Sequence, residues 1–257
     1  MAPKTSVEQL YGEIWAGDGP TLESLSPRGT DWLFEAFAEL GPQPGQLVID
    51  VGARDAVHSI RLVREHGLRA IAVDPVQRHA ELARRAVAEA GVDVDVVQAG
   101  IESMPIDDAS ADWIWCRDVL VHVDLERGFA ECARILKPGG RMLAYVTCST
   151  ETLEPREAAW LFDALAIVPE STRPEAIETH AASSGLKLVS KTELGGEWRE
   201  RMLEDGTWSA NEDLLWLSRA RRSGANVDAG HAAGRAWGVY QLLGKTCPTV
   251  YVWTFSG

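Results

Sequence analysis

The sequence predicts an α/β protein built on a doubly wound, mostly parallel sheet of seven strands. Short apolar runs alternate with amphipathic helical stretches between residues 47 and 147. The chain has 257 residues, enough for one such domain with an insertion. Strands joined by helices run parallel, because each crossover returns the chain to the same end of the sheet. Polar residues that follow the strands should therefore meet at one edge of the sheet.

The apolar runs and the turn residues between them place the individual elements. Strands are predicted over 47–51, 70–74, 92–98, 113–116 and 141–147, with helices over 56–66, 76–90 and 124–136. Gly67 and Gly91 should end two of these helices, and Asp124 should cap the start of the third. Pro138-Gly139-Gly140 is predicted to be the turn into the fifth strand.

The pattern changes after residue 147, which suggests a division of the chain. Helices over 151–168 and 173–184 precede a sixth strand over 186–192, and a helical stretch over 197–243 precedes a last strand over 249–255. We therefore expect an N-terminal helical lid over 1–44, a sheet domain over 45–195 and 246–257, and a helical substrate cap over 196–245.

Composition and charge argue against several classes of partner. The formal net charge of −13 would repel a phosphate backbone, so no nucleic acid is expected. The four cysteines have no C-x-x-C spacing, which argues against a metal site. No apolar run has membrane-spanning length, and residues 1–10 lack the apolar core of a signal peptide. A cytoplasmic protein with reduced thiols and a small-molecule substrate is expected, and a homodimer stays open.

Two strand ends carry the features of a nucleoside site. Gly52 follows the first strand, and Asp74 ends the second strand about 20 residues later. A carboxylate at that place can accept hydrogen bonds from both ribose hydroxyls of NAD or of S-adenosylmethionine (SAM). A dinucleotide fingerprint would need glycines at 52, 54 and 57, but the chain has Arg54 and Val57.

Several short runs in this region resemble the class I SAM-dependent methyltransferases. These are VIDVG at 48–52, AVD at 72–74, IESMP at 101–105, CRDVLVHV at 116–123 and ILKPGGR at 135–141. The resemblance covers about residues 45–147. It implies a SAM cofactor and a last strand that runs antiparallel between strands five and six. The chain departs from the family at Arg54 and Ala56, where second and third glycines are usual, and at Gly100, where an acid is common.

The resemblance also implies which residues bind the cofactor. Asp50 and Gly52 should hold the methionine end of SAM, Arg54 its carboxylate, Asp74 the ribose, and Ile101 with Glu102 the adenine. A plain strand-to-helix turn at Gly52, a helix cap at Asp74 and a solvated charge at Glu102 are the alternatives. The full predicted set is Asp50, Gly52, Arg54, Asp74, Pro75, Ile101, Glu102 and Arg117.

The acceptor side is predicted from histidines and aromatic residues. His122 is the candidate general base, because a histidine titrates near neutral pH, although it could instead pack on the cofactor or bond to the backbone. The predicted substrate pocket consists of Tyr11, Trp15, His122, Trp216, His231 and Trp237. About half of the cap tryptophans could equally form the cap's own core.

The resemblance implies a transferase that methylates a small molecule at oxygen, nitrogen or carbon. One alternative is a SAM-binding protein of this fold that does not transfer methyl groups or catalyses another reaction. A nicotinamide-dependent oxidoreductase and a non-enzymatic module that binds partners through its tryptophan-rich cap also remain open. The Ala-, Arg- and Val-rich composition suggests a GC-rich bacterial source and a role in natural product biosynthesis.

Overall fold

The computed structural model describes residues 27–224 and 227–257. Its sheet has seven strands in the order β3-β2-β1-β4-β5-β7-β6, and β7 is antiparallel to both of its neighbours. The remaining strand pairs are parallel, which confirms the predicted fold class and the insertion of the last strand between strands five and six. The strands are β1 (Leu47–Val51), β2 (Arg69–Val73), β3 (Val94–Val97), β4 (Ala111–Arg117), β5 (Leu136–Ser149), β6 (Leu186–Glu193) and β7 (Thr246–Phe255).

Helices cover the sheet and fill the connections. They are α1 (Trp32–Glu39), α2 (Val57–His66), α3 (Gln77–Ala90), α4 (Leu125–Ile135), α5 (Pro155–Leu165), α6 (Pro174–Ser183), α7 (Glu197–Glu204), α8 (Ala210–Ser223) and α9 (Ala229–Leu242). Gly67 and Gly91 end α2 and α3 in the left-handed conformation. The Asp124 side chain accepts a hydrogen bond from the Arg127 amide, as the capping prediction requires.

Two details of the fold differ from the sequence prediction. The helical stretch over 197–243 is three helices, with breaks after Glu204 and Ser223. The predicted turn at Pro138-Gly139-Gly140 lies inside β5, which begins directly after α4, and the pairing of β4 with β5 shifts register there. At Gly140 a Cβ atom would lie 2.9 Å from the Lys137 carbonyl oxygen, so the chain bends back on itself without leaving the strand.

The first described helix belongs to the hydrophobic core. Leu33 and Phe37 of α1 are fully buried. Phe37 packs edge-on against Trp113, with ring centroids 5.0 Å apart, and Phe34 lies 4.8 Å from Trp115. Because α1 packs against the sheet, only residues 1–26 of the predicted lid are left for that role, and they lie outside the described residues. Tyr11 and Trp15 are among them.

None of the helices within the described ranges combines the length and the apolar character that crossing a membrane requires.

Candidate functional site

A cavity of about 300 Å³ lies at the carboxyl ends of β1 and β4. This is the edge at which open parallel sheets bind their ligands. Its lining combines acidic and basic side chains with the loop after β1: Asp50, Gly52, Ala53, Arg54, Asp55, Val57, His58, Arg117 and Asp118. The structure thus brings together four of the predicted cofactor residues, namely Asp50, Gly52, Arg54 and Arg117.

The loop after β1 keeps a glycine-type conformation without its usual glycines. Gly52, Arg54 and Ala56 have φ angles of +74°, +51° and +60°, all in the left-handed region. A residue with a Cβ atom loses about 1–2 kcal/mol in that region. Hydrogen bonds compensate, because the Arg54 amide donates to the Asp74 carboxylate at 3.0 Å and the Ala56 amide donates to the Ala53 carbonyl at 2.7 Å. The two departures from the family pattern therefore leave the backbone shape intact.

A glycine is needed at position 52 because of its positive φ angle and because Val119 lies close to it. A Cβ atom built at Gly52 would lie 2.2 Å from Cγ2 of Val119, far inside van der Waals contact. Val119 follows β4, so the ends of β1 and β4 can approach this closely only because Gly52 has no side chain. The Gly52 and Ala53 amides both donate to the Val73 carbonyl at the end of β2. The loop is thus tied to both strands that flank β1.

Asp50 is a buried carboxyl at the base of the cavity. Its residue is 2% exposed, and Ser59 Oγ donates a 2.5 Å hydrogen bond to its Oδ2. Burial raises the pKa of Asp50 to about 6, which the Ser59 hydrogen bond only partly offsets. Asp50 therefore orients the start of α2 through Ser59 and changes its charge close to neutral pH.

Asp74 already has protein donors on both carboxylate oxygens. Oδ2 accepts from the Arg54 amide at 3.0 Å, and Oδ1 accepts from the Val76 amide at 2.9 Å and lies 3.0 Å from Nδ1 of His79. The residue is 7% exposed. A carboxylate offers about four acceptor positions, so ribose hydroxyls would compete with the His79 ring in particular.

Arg117 and His58 form a second polar pair on the cavity wall. Arg117 Nη1 lies 3.0 Å from Nε2 of His58, and Trp115 Nε1 donates to Nδ1 of His58 at 3.3 Å. Burial and, to a smaller extent, the positive charge of Arg117 lower the pKa of His58 to about 4. His58 is therefore neutral at physiological pH. Within the described ranges no carboxylate lies within 4.0 Å of the Arg117 guanidinium, which leaves it able to bind an anion.

Asp118 turns back into the cavity directly after β4. Its φ angle is +54°, and its amide donates to the Tyr145 carbonyl of β5 at 2.8 Å. Thr147 Oγ1 donates to Oδ1 of Asp118 at 2.8 Å. Burial raises the pKa of this carboxyl. Tyr145 in turn stacks on Trp198 of α7, with ring centroids 4.5 Å apart.

The predicted adenine residues lie at the neighbouring strand end, outside the 300 Å³ cavity. Ile101 is 2% exposed and packs beside Gly128 of α4. Glu102 Oε1 accepts from the Asp124 amide at 3.3 Å, so its charge lies at the N-terminus of α4. Pro75 is exposed and follows Asp74.

His122 lies on a short 3₁₀ turn, Leu120–His122, and its side chain is exposed. Its Nδ1 is 3.0 Å from the Ala166 carbonyl oxygen. A carbonyl can only accept, so Nδ1 carries the proton and Nε2 is free to accept one. Such a hydrogen bond to the backbone is the predicted alternative to a role as general base. The bond nevertheless leaves Nε2 of His122 without a partner within the described ranges.

The cap residues do not share a cavity with the strand ends. Trp216 and Arg235 line a separate cavity of about 540 Å³, and none of its lining residues borders the strand-end cavity. His231 packs edge-on against Trp216 at 5.2 Å. Trp237 is partly buried against the main core cluster, as expected for the alternative in which cap tryptophans form core.

Comparison with known proteins identifies the family. Residues 49–144, which hold the strand-end site, match the model of a methyltransferase domain. Dimethylglycine N-methyltransferase of Parasynechococcus marenigrum (strain WH8102) is 27% identical over 259 residues, 91% of each chain. These matches support a class I SAM-dependent methyltransferase, with residues 49–144 as its methyltransferase domain.

Solved structures share the fold of this methyltransferase at low sequence identity. A protein of Galdieria sulphuraria assigned as a sarcosine dimethylglycine methyltransferase has a TM-score of 0.69 and 17% identity, covering 97% of this chain and 98% of its own. The [4+2]-cyclase SpnF has a TM-score of 0.66 and 19% identity, covering 97% and 92%. The shared fold therefore does not by itself specify the reaction.

The cavity residues fit the amino-acid end of SAM. That end is a zwitterion, and the cavity wall offers the guanidinium groups of Arg54 and Arg117 beside the carboxyls of Asp50 and Asp55. Five cavity residues are absent from the set that the sequence predicted: Ala53, Asp55, Val57, His58 and Asp118. Asp118 follows β4 as Asp74 follows β2, so its position at a strand end was the available signal. His58 was a weaker candidate base than His122 from the sequence, because its place depends on how the loop turns into α2.

Proposed function

We propose that this methyltransferase transfers the methyl group of SAM to a small-molecule acceptor at the carboxyl ends of β1, β2 and β4. The observation that carries the proposal is the loop after β1. Every second residue from Gly52 to Ala56 keeps a left-handed φ angle there, although Arg54 and Ala56 are not glycine. The loop borders a cavity that is lined by both acidic and basic side chains. Strain of this kind persists where the surrounding structure holds it, often at ligand sites.

Each strand end has its own task in this proposal. Arg54 and Arg117 bind the carboxylate of SAM, while Asp50 and Gly52 shape the wall beside its amino-acid end. Asp74 binds the ribose once His79 has turned aside, and Pro75, Ile101 and Glu102 surround the adenine. SAM supplies a methyl group on a sulfonium, which leaves the protein to orient the acceptor and exclude water.

His122 is the candidate base for an acceptor that must lose a proton. The Ala166 carbonyl holds the Nδ1 proton and leaves Nε2 free. The names of the relatives support a small-molecule acceptor, which could react through oxygen, nitrogen or carbon. Trp216, His231 and Trp237 of the predicted cap and Tyr11 and Trp15 of the predicted lid are proposed to enclose it. A role in natural product biosynthesis stays a prediction.

The ribose assignment predicts opposite effects for two neighbouring substitutions. Asp74→Asn removes the charged acceptor and should weaken SAM binding by about 10- to 100-fold, as expected when a hydrogen bond to a charged group is lost. His79→Ala removes the competing ring and should tighten binding by about three- to tenfold. Isothermal titration with SAM and with S-adenosylhomocysteine measures both changes.

Gln77→Ala is the matched control for this pair, because Gln77 lies on the same helix and bonds to Glu81 instead. It should leave the SAM dissociation constant unchanged. Wild-type protein that gives no heat with either compound contradicts the proposal as a whole. Unchanged binding in both Asp74→Asn and His79→Ala contradicts the ribose assignment alone.

A SAM-binding protein with another reaction is the second candidate. The replaced glycines and the engaged Asp74 carboxylate favour it, and the similarity to the [4+2]-cyclase SpnF adds that the fold hosts other chemistry. Incubation with methyl-labelled SAM and a panel of small acceptors separates the two. SAM binding without label transfer to any acceptor supports this second candidate, and transfer supports the first.

A further inference from the structure

The strand-end carboxyls differ in how fully the protein satisfies them. Asp74 has three donors, and Asp50 is buried under Ser59. Asp118 accepts hydrogen bonds from Thr147 alone within the described ranges, from its backbone and from its Oγ1, which lies 2.8 Å from Oδ1. Asp118 nevertheless lines the cavity, so its second oxygen is the one that can meet a ligand.

The nearest basic groups are turned away from Asp118. Arg117 contacts His58 at 3.0 Å and lies over the Tyr145 and Trp198 rings at 5.8 and 5.5 Å. Arg199 of α7 donates to Gln241 at 2.7 Å. Within the described ranges no basic side chain comes within 4.0 Å of the Asp118 carboxylate. A partly desolvated carboxylate without a cation is costly unless a ligand supplies one.

The backbone holds Asp118 in place at a cost. Its φ of +54° is unfavourable for a residue with a Cβ atom by about 1–2 kcal/mol. The bond from its amide to the Tyr145 carbonyl fixes the turn. Tyr145 and Trp198 are buried and stack on each other, so they support the turn from within the core.

We propose that the methyl acceptor is an amine whose nitrogen binds Oδ2 of Asp118. This inference rests on the proposed methyl transfer and specifies its acceptor atom as nitrogen. The acceptor enters as an ammonium and gives one proton to the Asp118 carboxylate. The nitrogen lone pair then forms the bond to the methyl carbon, while the sulfur–methyl bond breaks and leaves its electron pair on sulfur. The product leaves as an ammonium, and Asp118 releases its proton to water.

The raised pKa of Asp118 suits this proton transfer, because a more basic carboxylate accepts a proton from an ammonium more readily. The basic and titratable groups that face the carboxyl include Arg117, Arg199 and His122. With an amine acceptor His122 is not needed as the base. His122→Asn should then lower turnover less than Asp118→Asn does.

Asp118→Asn is the direct test, because asparagine keeps the shape and the Thr147 hydrogen bond but loses the charge. The probes are sarcosine, N,N-dimethylglycine and benzylamine, compared with glycolate and benzyl alcohol, whose hydroxyl group takes the place of the amine. Their binding is measured by calorimetry in the presence of S-adenosylhomocysteine, and methyl transfer is measured with labelled SAM. Asp95→Asn, an exposed acid on β3, is the control.

We expect wild-type protein and Asp95→Asn to bind and methylate at least one amine and neither oxygen analogue. Asp118→Asn should lower kcat/KM for that amine by about 100-fold, through both a higher KM and a lower kcat, while its SAM dissociation constant changes less than about threefold. Methylation of an oxygen or carbon acceptor without any amine binding overturns the inference but leaves the proposed methyl transfer standing. A weaker SAM affinity in Asp118→Asn, with unchanged amine KM, overturns it too and assigns the carboxylate to the cofactor.

Discussion

Replacing Gly52 with alanine should lower the free energy of unfolding by about 2–5 kcal/mol. Two costs add: the left-handed φ of +74° costs a Cβ-bearing residue about 1–2 kcal/mol, and a Cβ atom 2.2 Å from Val119 Cγ2 forces the packed ends of β1 and β4 apart. Thermal unfolding and denaturant titration measure the loss. Binding of SAM should fall with it, because the same loop borders the cavity.

Two further variants separate these costs. Gly91→Ala meets a φ of +62° with no atom within 4 Å of the new Cβ, so it should lose only about 1–2 kcal/mol. Val119→Ala in the Gly52→Ala background removes the clashing methyl group and should restore stability to about the Gly91→Ala level. If the double variant is no more stable than Gly52→Ala, the Val119 contact does not explain the effect.

The sequence predicted most of the sheet because most of its strands contain a short apolar run with a recognisable stop. Gly67 and Gly91 ended their helices as predicted, since glycine favours the left-handed C-cap. The turn at 138–140 was misplaced, because β5 continues through it by a register shift with β4 that depends on tertiary pairing. The prediction of one helical stretch over 197–243 missed the breaks between three helices, because the spacing of apolar residues in these polar helices is only weakly periodic.

The candidate site was predictable at the level of strand ends and less so at the level of contacts. Asp50, Gly52, Arg54 and Arg117 share a cavity because parallel strands end at one edge. The left-handed angles at Arg54 and Ala56 could not be predicted, because such residues adopt them only where tertiary hydrogen bonds hold them. The His79 contact with Asp74 depends on where α3 begins, and the separation of Trp216 from the strand ends depends on how the cap helices pack.

Two buried groups at the base of the site should give the protein opposing pH dependences. The pKa of Asp50 is about 6 in the folded protein and 3.8 in the unfolded chain, so between pH 6 and pH 4 the folded state binds a proton first. Acidification through that range therefore stabilises the fold, by about 3 kcal/mol in total.

His58 works in the opposite direction over nearly the same range. Its pKa falls from 6.5 to about 4 on folding, so the unfolded chain binds the proton first and acidification destabilises the fold, also by about 3 kcal/mol. The wild-type contributions from these two residues should nearly cancel. Each becomes visible when the other is removed.

Asp50→Asn mimics the protonated carboxyl, so it should be more stable than wild type by about 3 kcal/mol at pH 7 and equal to it near pH 4. His58→Gln should equal wild type at pH 7 and exceed it by a similar amount near pH 4. Urea unfolding at pH 4.5, 5.5 and 7 measures these differences, with exposed Asp95→Asn as the control. Parallel curves for wild type and Asp50→Asn would contradict the assignment of a raised pKa to Asp50. Because Asp50 also borders the cavity, the more stable Asp50→Asn protein should bind SAM less tightly. The buried charge of Asp50 would then lower the stability of the protein while contributing to SAM binding.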